Sequence, residues 1–398
     1  MLRPLVLVGL IAALTGCGFL PRNAVPTEFV GQATIPHMPD VRAWAGAPSP
    51  VMERDLAVSF DQESPEEFPP GADGVVYYAH LALSGGGPNG AFGAGFLNGW
   101  STTGARPVFK IVTGVSTGAL MAPFAFVGPS YDESLRQFYT TTASRNIFRM
   151  LSIIPQLLAG ESLADSGPLE AMIERYVDDA LVAQVADAHR RGRRLYVGTV
   201  DLDAQRFVVW NMGLIATSGR PEALELFRKV IFASASVPVA FPPVFFDVEV
   251  AGRLYDEMHV DGAVAARVFY NGGVFDPSII RSRAGRGAGR EHIYVIHNGQ
   301  LLPAPKSVPR SLRGIAQRVL ASSGKAGMIG DLFRIYAFTR ETQASFHWVT
   351  IPEAVEIDGD EVFDPVMMTR LYEVGYRTAI AGPVWATHPP GFEFELAP

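Results

Sequence analysis

The chain has 398 residues, of which 48% are hydrophobic and 18% are charged. This composition is typical of a folded globular protein with a sizeable core and excludes a disordered one. The net charge of −7 gives no global positive field to hold a phosphate backbone, so nucleic acid is not an expected partner.

The N-terminus has the pattern of a targeting signal. Arg3 precedes an apolar stretch at residues 5–14, which is too short to span a bilayer but suits a secretory signal peptide. Leu14-Thr15-Gly16-Cys17 follows and resembles a bacterial lipobox, whose cysteine accepts lipid. Cys17 is the only cysteine, so it cannot form an internal disulfide. We expect residues 1–16 to be a signal peptide and acylated Cys17 to hold the protein in a membrane of the cell envelope, the outer membrane by preference.

Residues 17–74 are rich in proline and then in acidic side chains. Such a stretch is a poor candidate for a central strand and carries little periodic apolar content. We predict that it is a tether from the membrane, packed in part on the folded domain.

From residue 75 onward the apolar pattern predicts alternating strands and helices. Strands are predicted at 75–83 and 108–113, and helices at 91–100 and 117–126. This order favours parallel pairing in an α/β layer. Further predicted elements are hairpins at 194–200 with 206–210 and at 245–250 with 253–260, strands at 292–297 and 346–351, and helices at 222–233, 311–320, 327–338 and 365–380.

The first motif is the glycine loop Gly85-Gly86-Gly87-Pro88-Asn89-Gly90, between a predicted strand and a predicted helix. Its glycines allow backbone N–H groups to point outward at a helix N-terminus, which suits a phosphate or an oxyanion. The spacing Gly85-x-Gly87-x-x-Gly90 also matches a dinucleotide fingerprint. That alternative requires an acidic residue about 20 positions further on, and none stands at residues 102–121.

The second motif is Gly114-Val115-Ser116-Thr117-Gly118, at a predicted strand-to-helix turn. A G-x-S-x-G turn places serine on a tight elbow, where the glycines permit a sharp backbone path. Gly86 and Ser116 are 30 residues apart, about one βαβ unit, so adjacent parallel strands would bring the glycine loop and the serine to one sheet edge. Backbone donors and a nucleophile would then converge.

Several side chains are candidates for the base that such a serine requires. Asp261-Gly262-Ala263 ends a predicted strand, although an Asp-Gly pair can simply make a turn. His259 lies two residues before Asp261 and should point to the same face. His297 ends another strand, where core packing is the favoured interpretation. Asp201 and Asp203 suggest a metal pair, but turn capping is favoured because no third ligand is evident in the sequence nearby.

Taken together, the glycine loop, the Ser116 elbow and Asp261-Gly262-Ala263 resemble, in this order, the three signatures of the patatin-like phospholipase family. Residues 233–243, Ala-Ser-Ala-Ser-Val-Pro-Val-Ala-Phe-Pro-Pro, resemble that family's segment between nucleophile and aspartate. The resemblance covers about residues 79–275. One departure is Asn89, which stands where many members have Arg or Lys.

This resemblance implies a three-layer α/β/α sandwich with a mostly parallel sheet, and a Ser-Asp dyad without a metal or other cofactor. By position, Ser116 is the nucleophile, Asp261 is the base, and Gly85, Gly86 and Gly87 form the oxyanion hole. The resemblance also identifies four further glycines as motif positions, namely Gly90, Gly114, Gly118 and Gly262. We expect residues 75–300 to form the catalytic domain and residues 301–398 an α/β extension packed on the same core.

The implied activity is hydrolysis of carboxylic esters of phospholipids or other acyl-ester lipids through an acyl-enzyme. Alternatives are a conventional α/β-hydrolase with an essential histidine, a dinucleotide-binding enzyme, and a non-catalytic surface lipoprotein. The nearly all-apolar residues 147–158 are expected to be either an ordinary buried helix or a border of the acyl-chain channel.

Overall fold

The computed structural model describes residues 22–152, 161–286, 288–383 and 385–392. Its strands are β1 (Arg42–Trp44), β2 (Val76–Leu83), β3 (Phe109–Gly114), β4 (Arg149–Met150), β5 (Ala164–Asp165), β6 (Arg194–Asp201), β7 (Arg206–Asn211), β8 (Val244–Val250), β9 (Arg253–Asp261), β10 (Gly289–His297) and β11 (Ser345–Thr350).

The α-helices of the described residues alternate with these strands for most of the chain. They are α1 (Pro50–Asp61), α2 (Gly90–Thr102), α3 (Thr117–Val127), α4 (Asp132–Thr141), α5 (Gly167–Tyr176), α6 (Asp179–Arg190), α7 (Met212–Thr217), α8 (Ala223–Ala235), α9 (Pro277–Arg283), α10 (Leu312–Thr342) and α11 (Pro365–Ile380). None of the helices in these ranges is long and apolar enough to cross a membrane.

The main sheet has nine strands. Seven of them follow the order β1-β7-β6-β3-β2-β10-β11, and the other two, β8 and β9, lie off this path. The neighbours from β6 to β11 are parallel, whereas β7 and β1 add antiparallel strands at one side. β9 pairs with β6 and β8 with β9, both antiparallel. The mostly parallel centre confirms the predicted α/β class.

Both faces of the sheet are covered, as a central parallel sheet requires. One core packs strand residues such as Leu81 and Val112 against α2, α3 and α11. The other packs alternate strand residues such as Ala82 and Ile111 against α1 and α10. The two cores on opposite faces confirm the predicted three-layer α/β/α sandwich.

The predicted strands and helices from residue 75 onward are present, with ends shifted by a few residues. One difference is that 311–320 and 327–338 belong to a single helix, α10, because no helix-breaking proline separates them. A second is that part of the predicted tether is structured. β1 pairs with β7, and α1 buries Met52, Leu56 and Phe60 against the sheet.

Two stretches rich in arginine, at residues 190–194 and 281–290, are partly buried. Arg193 and Arg194 are buried and donate to backbone carbonyls. Arg281 is buried beside Glu291, with which it forms an ion pair. Arg281 therefore belongs to the core rather than to the solvated surface.

Candidate active site

Ser116 lies on the sharp turn between β3 and α3, with φ 56° and ψ −126°. A left-handed φ is uncommon for a residue with a side chain and indicates a backbone held in place by its surroundings. A Cβ added to Gly114 would lie 2.4 Å from the Gly118 carbonyl oxygen, and one on Gly118 would lie 2.3 Å from that of Leu83. The two glycines are therefore required by close backbone approach around the elbow.

Asp261 lies near Ser116 because β3 and β9 both pair with β6 and run toward each other along it. β3 ends at Gly114, opposite Val197, and antiparallel β9 ends at Asp261, opposite Thr199. A Cβ on Gly262 would lie 2.4 Å from the carbonyl oxygen of Gly198, so only glycine fits this close crossing. The strand ends consequently face each other across a single β6 residue.

Ser116 and the turn after Asp261 lie side by side, since a Cβ on Gly85 would be 3.2 Å from Ser116 Cβ and 3.5 Å from Ala263 Cβ. The Asp261 carboxylate accepts the Ala263 N–H at 2.8 Å, and the nearby Ser116 hydroxyl lowers the pKa of this carboxylate. Burial raises the pKa of Asp261 to about 6, although both of these groups and the charge of Arg267 act in the opposite direction. A carboxylate with this pKa is ionised at neutral pH and is a stronger base than an exposed one.

Two serines hold the backbones of both candidate residues. The Ser116 N–H donates to Ser234 Oγ at 3.0 Å, and that hydroxyl donates to the Gly198 carbonyl at 2.7 Å. The Asp261 N–H donates to the Ser236 carbonyl at 2.9 Å. Both serines lie within residues 233–243, but their roles could not be predicted from the sequence, because their hydrogen-bond partners are distant along the chain.

The glycine loop lies directly beside Ser116. A Cβ on Gly85 would be 3.2 Å from Ser116 Cβ, and one on Gly90 would be 2.3 Å from Thr117 Oγ1. The N–H of Gly85 donates to the Arg267 carbonyl at 3.0 Å. We expected Gly85 to be an oxyanion donor, and this is wrong. Its N–H is not free, because it already donates to the Arg267 carbonyl.

Gly86 and Gly87 remain as candidate donors, since neither N–H donates a hydrogen bond to any group in the described ranges. A side chain at Gly86 would collide with the Asn298 carbonyl oxygen, 2.2 Å from the position of its Cβ. Gly87 has φ 56°, which glycine adopts without strain. Gly87 lines the same cavity as Ser116, which places this part of the loop at the candidate site.

The candidate histidines are engaged away from Ser116. His297 Nδ1 lies 3.1 Å from Ser84 Oγ, and burial lowers the pKa of this histidine to about 3. His259 contacts Thr199 Oγ1 through Nδ1, at 2.9 Å, and Glu257 through Nε2, at 3.2 Å. Both imidazoles are buried and hydrogen-bonded, in agreement with the core interpretation of His297.

Asp201 caps a turn, as sequence analysis favoured, accepting the N–H groups of Asp203 and Ala204. Asp203 instead forms an ion pair with Arg22. The expectation that no third ligand lies near Asp201 is wrong, because antiparallel β9 brings Glu257 and His259 within 4.8 Å of it. Arg42 already supplies a positive charge to Glu257 in this cluster.

An apolar cavity of about 50 Å³ opens on Ser116. It has room for only one or two water molecules, far less than the several hundred Å³ of usual ligand sites. A larger cavity, of about 780 Å³, touches neither Ser116 nor the glycine loop, so size alone is a poor guide here. The small cavity is lined by residues that include Ser116, Leu120, Phe138, Tyr139, Ile147, Phe241, Phe363 and Met368.

The predicted channel border at 147–158 is only partly described. Ile147 lines the cavity beside Ser116, and the Phe148 ring packs against those of Phe241 and Phe363. Residues 149–150 form β4 rather than a helix. Residues 153–160 lie outside the described residues.

Residues 81–271 match the model of a family described as patatin-like phospholipase, and this range contains the glycine loop, Ser116 and Asp261. No match is found among curated proteins. Two solved structures are similar at 10% identity. VipD from Legionella pneumophila has a TM-score of 0.39, covering 79% of this chain and 69% of VipD. Human GIVD cytosolic phospholipase A2 has a TM-score of 0.35, covering 85% of this chain but 64% of that protein, less than two thirds.

Proposed function

We propose that the chain, whose residues 81–271 match the patatin-like phospholipase model, is a lipid acyl hydrolase of that family and cleaves carboxylic esters of membrane lipids with Ser116 and Asp261. The observation that carries this proposal is the meeting of the two side chains at the junction of β3 and β9. The Ser116 hydroxyl is also close enough to Asp261 to lower the pKa of its carboxylate.

In the proposed reaction, Asp261 accepts the Ser116 proton while Ser116 Oγ forms a bond to the ester carbonyl carbon. The carbonyl π electrons move to oxygen, and the N–H groups of Gly86 and Gly87 stabilise that oxyanion. Collapse of the intermediate expels the alcohol, which takes the proton from Asp261, and leaves an acyl-enzyme. Water then attacks in the same manner, releasing the carboxylic acid and restoring the serine.

The acyl chain enters the apolar cavity that opens on Ser116. Because this cavity is small, a long chain requires its walls to move, and the wall at 237–241 has features that suit movement. Val239 is exposed with φ 72°, a strained conformation for a β-branched residue. Its carbonyl accepts the Leu163 N–H at 2.9 Å, which links this wall to β5.

Attachment to the membrane through acylated Cys17 is the second part of the proposal. It is supported by the order of Arg3, the apolar stretch at 5–14 and Leu14-Thr15-Gly16-Cys17. A hydrolase held at a bilayer meets its lipid substrate at high local concentration. The resulting protein is an envelope lipoprotein that acts on lipids of its own or a neighbouring membrane.

The proposal is tested with a fluorophosphonate probe, which labels activated serine nucleophiles. Peptide mapping of the labelled full chain should place the adduct on Ser116, and Ser116→Ala should lose both the label and hydrolysis of a soluble chromogenic ester. Ser282→Ala, at an exposed position on α9, is the matched control and should keep both. Labelling at another serine, or ester hydrolysis that persists in Ser116→Ala, would refute the assignment.

A further inference from the structure

One half of α10 is buried against the sheet, and the other half is exposed. The C-terminal half packs on the sheet through Met328, Leu332, Ile335 and Tyr336, which are buried. The N-terminal half, residues 312–326 and here called the arm, is exposed along most of its length. The helix therefore extends past the core that covers its second half.

The arm carries large apolar side chains that nothing in the described residues covers. Leu312, Ile315, Val319 and Leu320 are 88%, 53%, 59% and 68% exposed. Their spacing puts them on one helical face. Val319 and buried Met328 are nine residues apart, about two and a half turns, so this apolar face points away from the protein body.

The segment around the arm is uniformly basic. No Asp or Glu occurs between Glu291 and Asp331, a stretch that contains Lys306, Arg310, Arg318 and Lys325. None of these four forms an ion pair in the part of the chain that the structure describes. Arg318 instead donates to the Ala304 carbonyl at 2.8 Å, and Lys325 to that of Leu302.

The arm is connected to the candidate active site. Asp331, on the next turn of α10, accepts the Arg267 N–H at 2.6 Å, and the Arg267 carbonyl accepts the Gly85 N–H. The Arg267 side chain lies against α10 at Gly324, with its guanidinium carbon 3.6 Å from the position a Cβ would take. The loop before the arm starts where β10 ends, beside the end of β2 that leads into the glycine loop.

We propose that the outward face of the arm inserts into the interfacial region of an anionic lipid bilayer. A helix with an apolar face and basic flanks binds such surfaces by burying its apolar side chains among the headgroups. Lysine and arginine side chains near an anionic surface add electrostatic attraction to it. The inference rests on the proposed function for its purpose, since it would hold the Ser116 site against its lipid substrate.

The test uses the single cysteine of the chain. Cys17→Ser combined with Val319→Cys gives a full-length protein with one thiol on the apolar face, which is labelled with an environment-sensitive fluorophore. Cys17→Ser with Ala321→Cys is the matched control, because Ala321 is exposed about 160° further round the helix, estimated at 100° per residue from 3.6 residues per turn. Emission is compared with phosphatidylglycerol and phosphatidylcholine vesicles, while flotation measures binding of the whole protein.

We expect the emission at position 319 to shift to shorter wavelength with phosphatidylglycerol vesicles, and the emission at 321 to change little. The shift should weaken with phosphatidylcholine, and also at about 1 M salt, where the screening length falls to about 3 Å. An unchanged signal at 319 on protein that floats with vesicles would refute the proposal. A shift that grows with protein concentration without vesicles would also refute it, and would assign the face to a second copy of the chain.

Failure of this inference is distinct from failure of the proposed function. The fluorescence measurement requires no turnover, so it gives a result even for a chain that hydrolyses no ester. Conversely, fluorophosphonate labelling of Ser116 uses a soluble probe and needs no membrane. Each claim can therefore be rejected while the other stands.

Discussion

Asp261 is the residue whose environment most affects the proposed chemistry. Burial disfavours its charged form, whereas the Ser116 hydroxyl, the Ala263 N–H and the Arg267 guanidinium favour it, and the balance is a pKa of about 6. A carboxylate with this pKa is ionised at neutral pH and is a stronger base than an exposed one. His259 and His297 have hydrogen-bond partners other than Ser116.

The pH dependence follows from this pKa. Because the proposed base acts only when ionised, kcat/KM for a soluble neutral ester should be constant above pH 7 and fall about tenfold per pH unit below pH 6. Arg267→Gln should move this acid limb to higher pH, since the Arg267 charge lowers the pKa of Asp261. The measurement is a pH–rate profile of both proteins.

The control for the profile is Arg175→Gln, an exposed arginine on α5. It should leave the limb where it is. Full activity retained at pH 5, or an acid limb that does not respond to Arg267→Gln, would contradict the assignment of the limb to Asp261.

At the level of single residues, the sequence motifs predicted Ser116, Asp261 and the glycines that surround them. They could do so because each motif is a local backbone requirement, such as the close approach that forces glycine at 114 and 118. The use of the Gly85 N–H by Arg267 was not predictable, since 182 residues separate the two. The same is true of Ser234 and Ser236, whose hydrogen bonds exist only after the strands and α8 have packed.

Among the elements, the junction of β3 and β9 has the largest consequence. Strand and helix positions could be predicted from apolar periodicity. The approach of the C-terminal ends of β3 and β9 along β6 depends on sheet order, which no local pattern specifies. The same limitation explains the Asp201 cluster, whose other members arrive from β9. It also explains α1, whose apolar face was hidden within a proline-rich and acidic segment.

The cavity at Ser116 gives a prediction about chain length. Ile147→Asn places an amide in the apolar wall, so kcat/KM should fall little for acetate esters and about tenfold for palmitate esters, because burying an unpaired amide and losing apolar contact cost about 1–3 kcal/mol. The measurement is kcat/KM across a series of acyl chain lengths. Thermal melts of the variant check that it folds.

Ile279→Asn is the matched control, since Ile279 lines the larger cavity that does not reach Ser116. It should leave the chain-length profile unaltered. Equal losses on acetate and palmitate esters in Ile147→Asn would mean that this wall supports the site without contacting the acyl chain.

The whole molecule combines a buried, two-sided α/β core with features suited to a membrane surface. The proposed lipid anchor at Cys17 precedes the described residues, and the arm of α10 continues into Asp331, which is joined to Gly85 through the backbone of Arg267. Four adjacent signals in the sequence predict the anchor. The arm could not be predicted, because only the packing of residues 328–339 reveals that the opposite face of the helix is uncovered.

The anchor gives the prediction at this scale. Cys17→Ser should abolish metabolic labelling of the protein by a fatty acid analogue, because no other cysteine can accept the lipid. Membrane fractionation should show more of the variant released by high salt, which weakens any remaining ionic attachment. Wild-type protein that carries no lipid would contradict the lipoprotein proposal.

In the proposed mechanism the base for Ser116 is Asp261 rather than a histidine. The most direct test is kcat/KM on a soluble chromogenic ester, measured for single variants that remain folded in thermal melts. Asp261→Asn should fall as far as Ser116→Ala, since a neutral amide cannot accept the proton and the two residues act as a unit. His259→Asn, His292→Asn and His297→Asn should each keep most of the activity. A folded histidine variant as inactive as Ser116→Ala, together with substantial activity in Asp261→Asn, would contradict the dyad and establish a conventional triad.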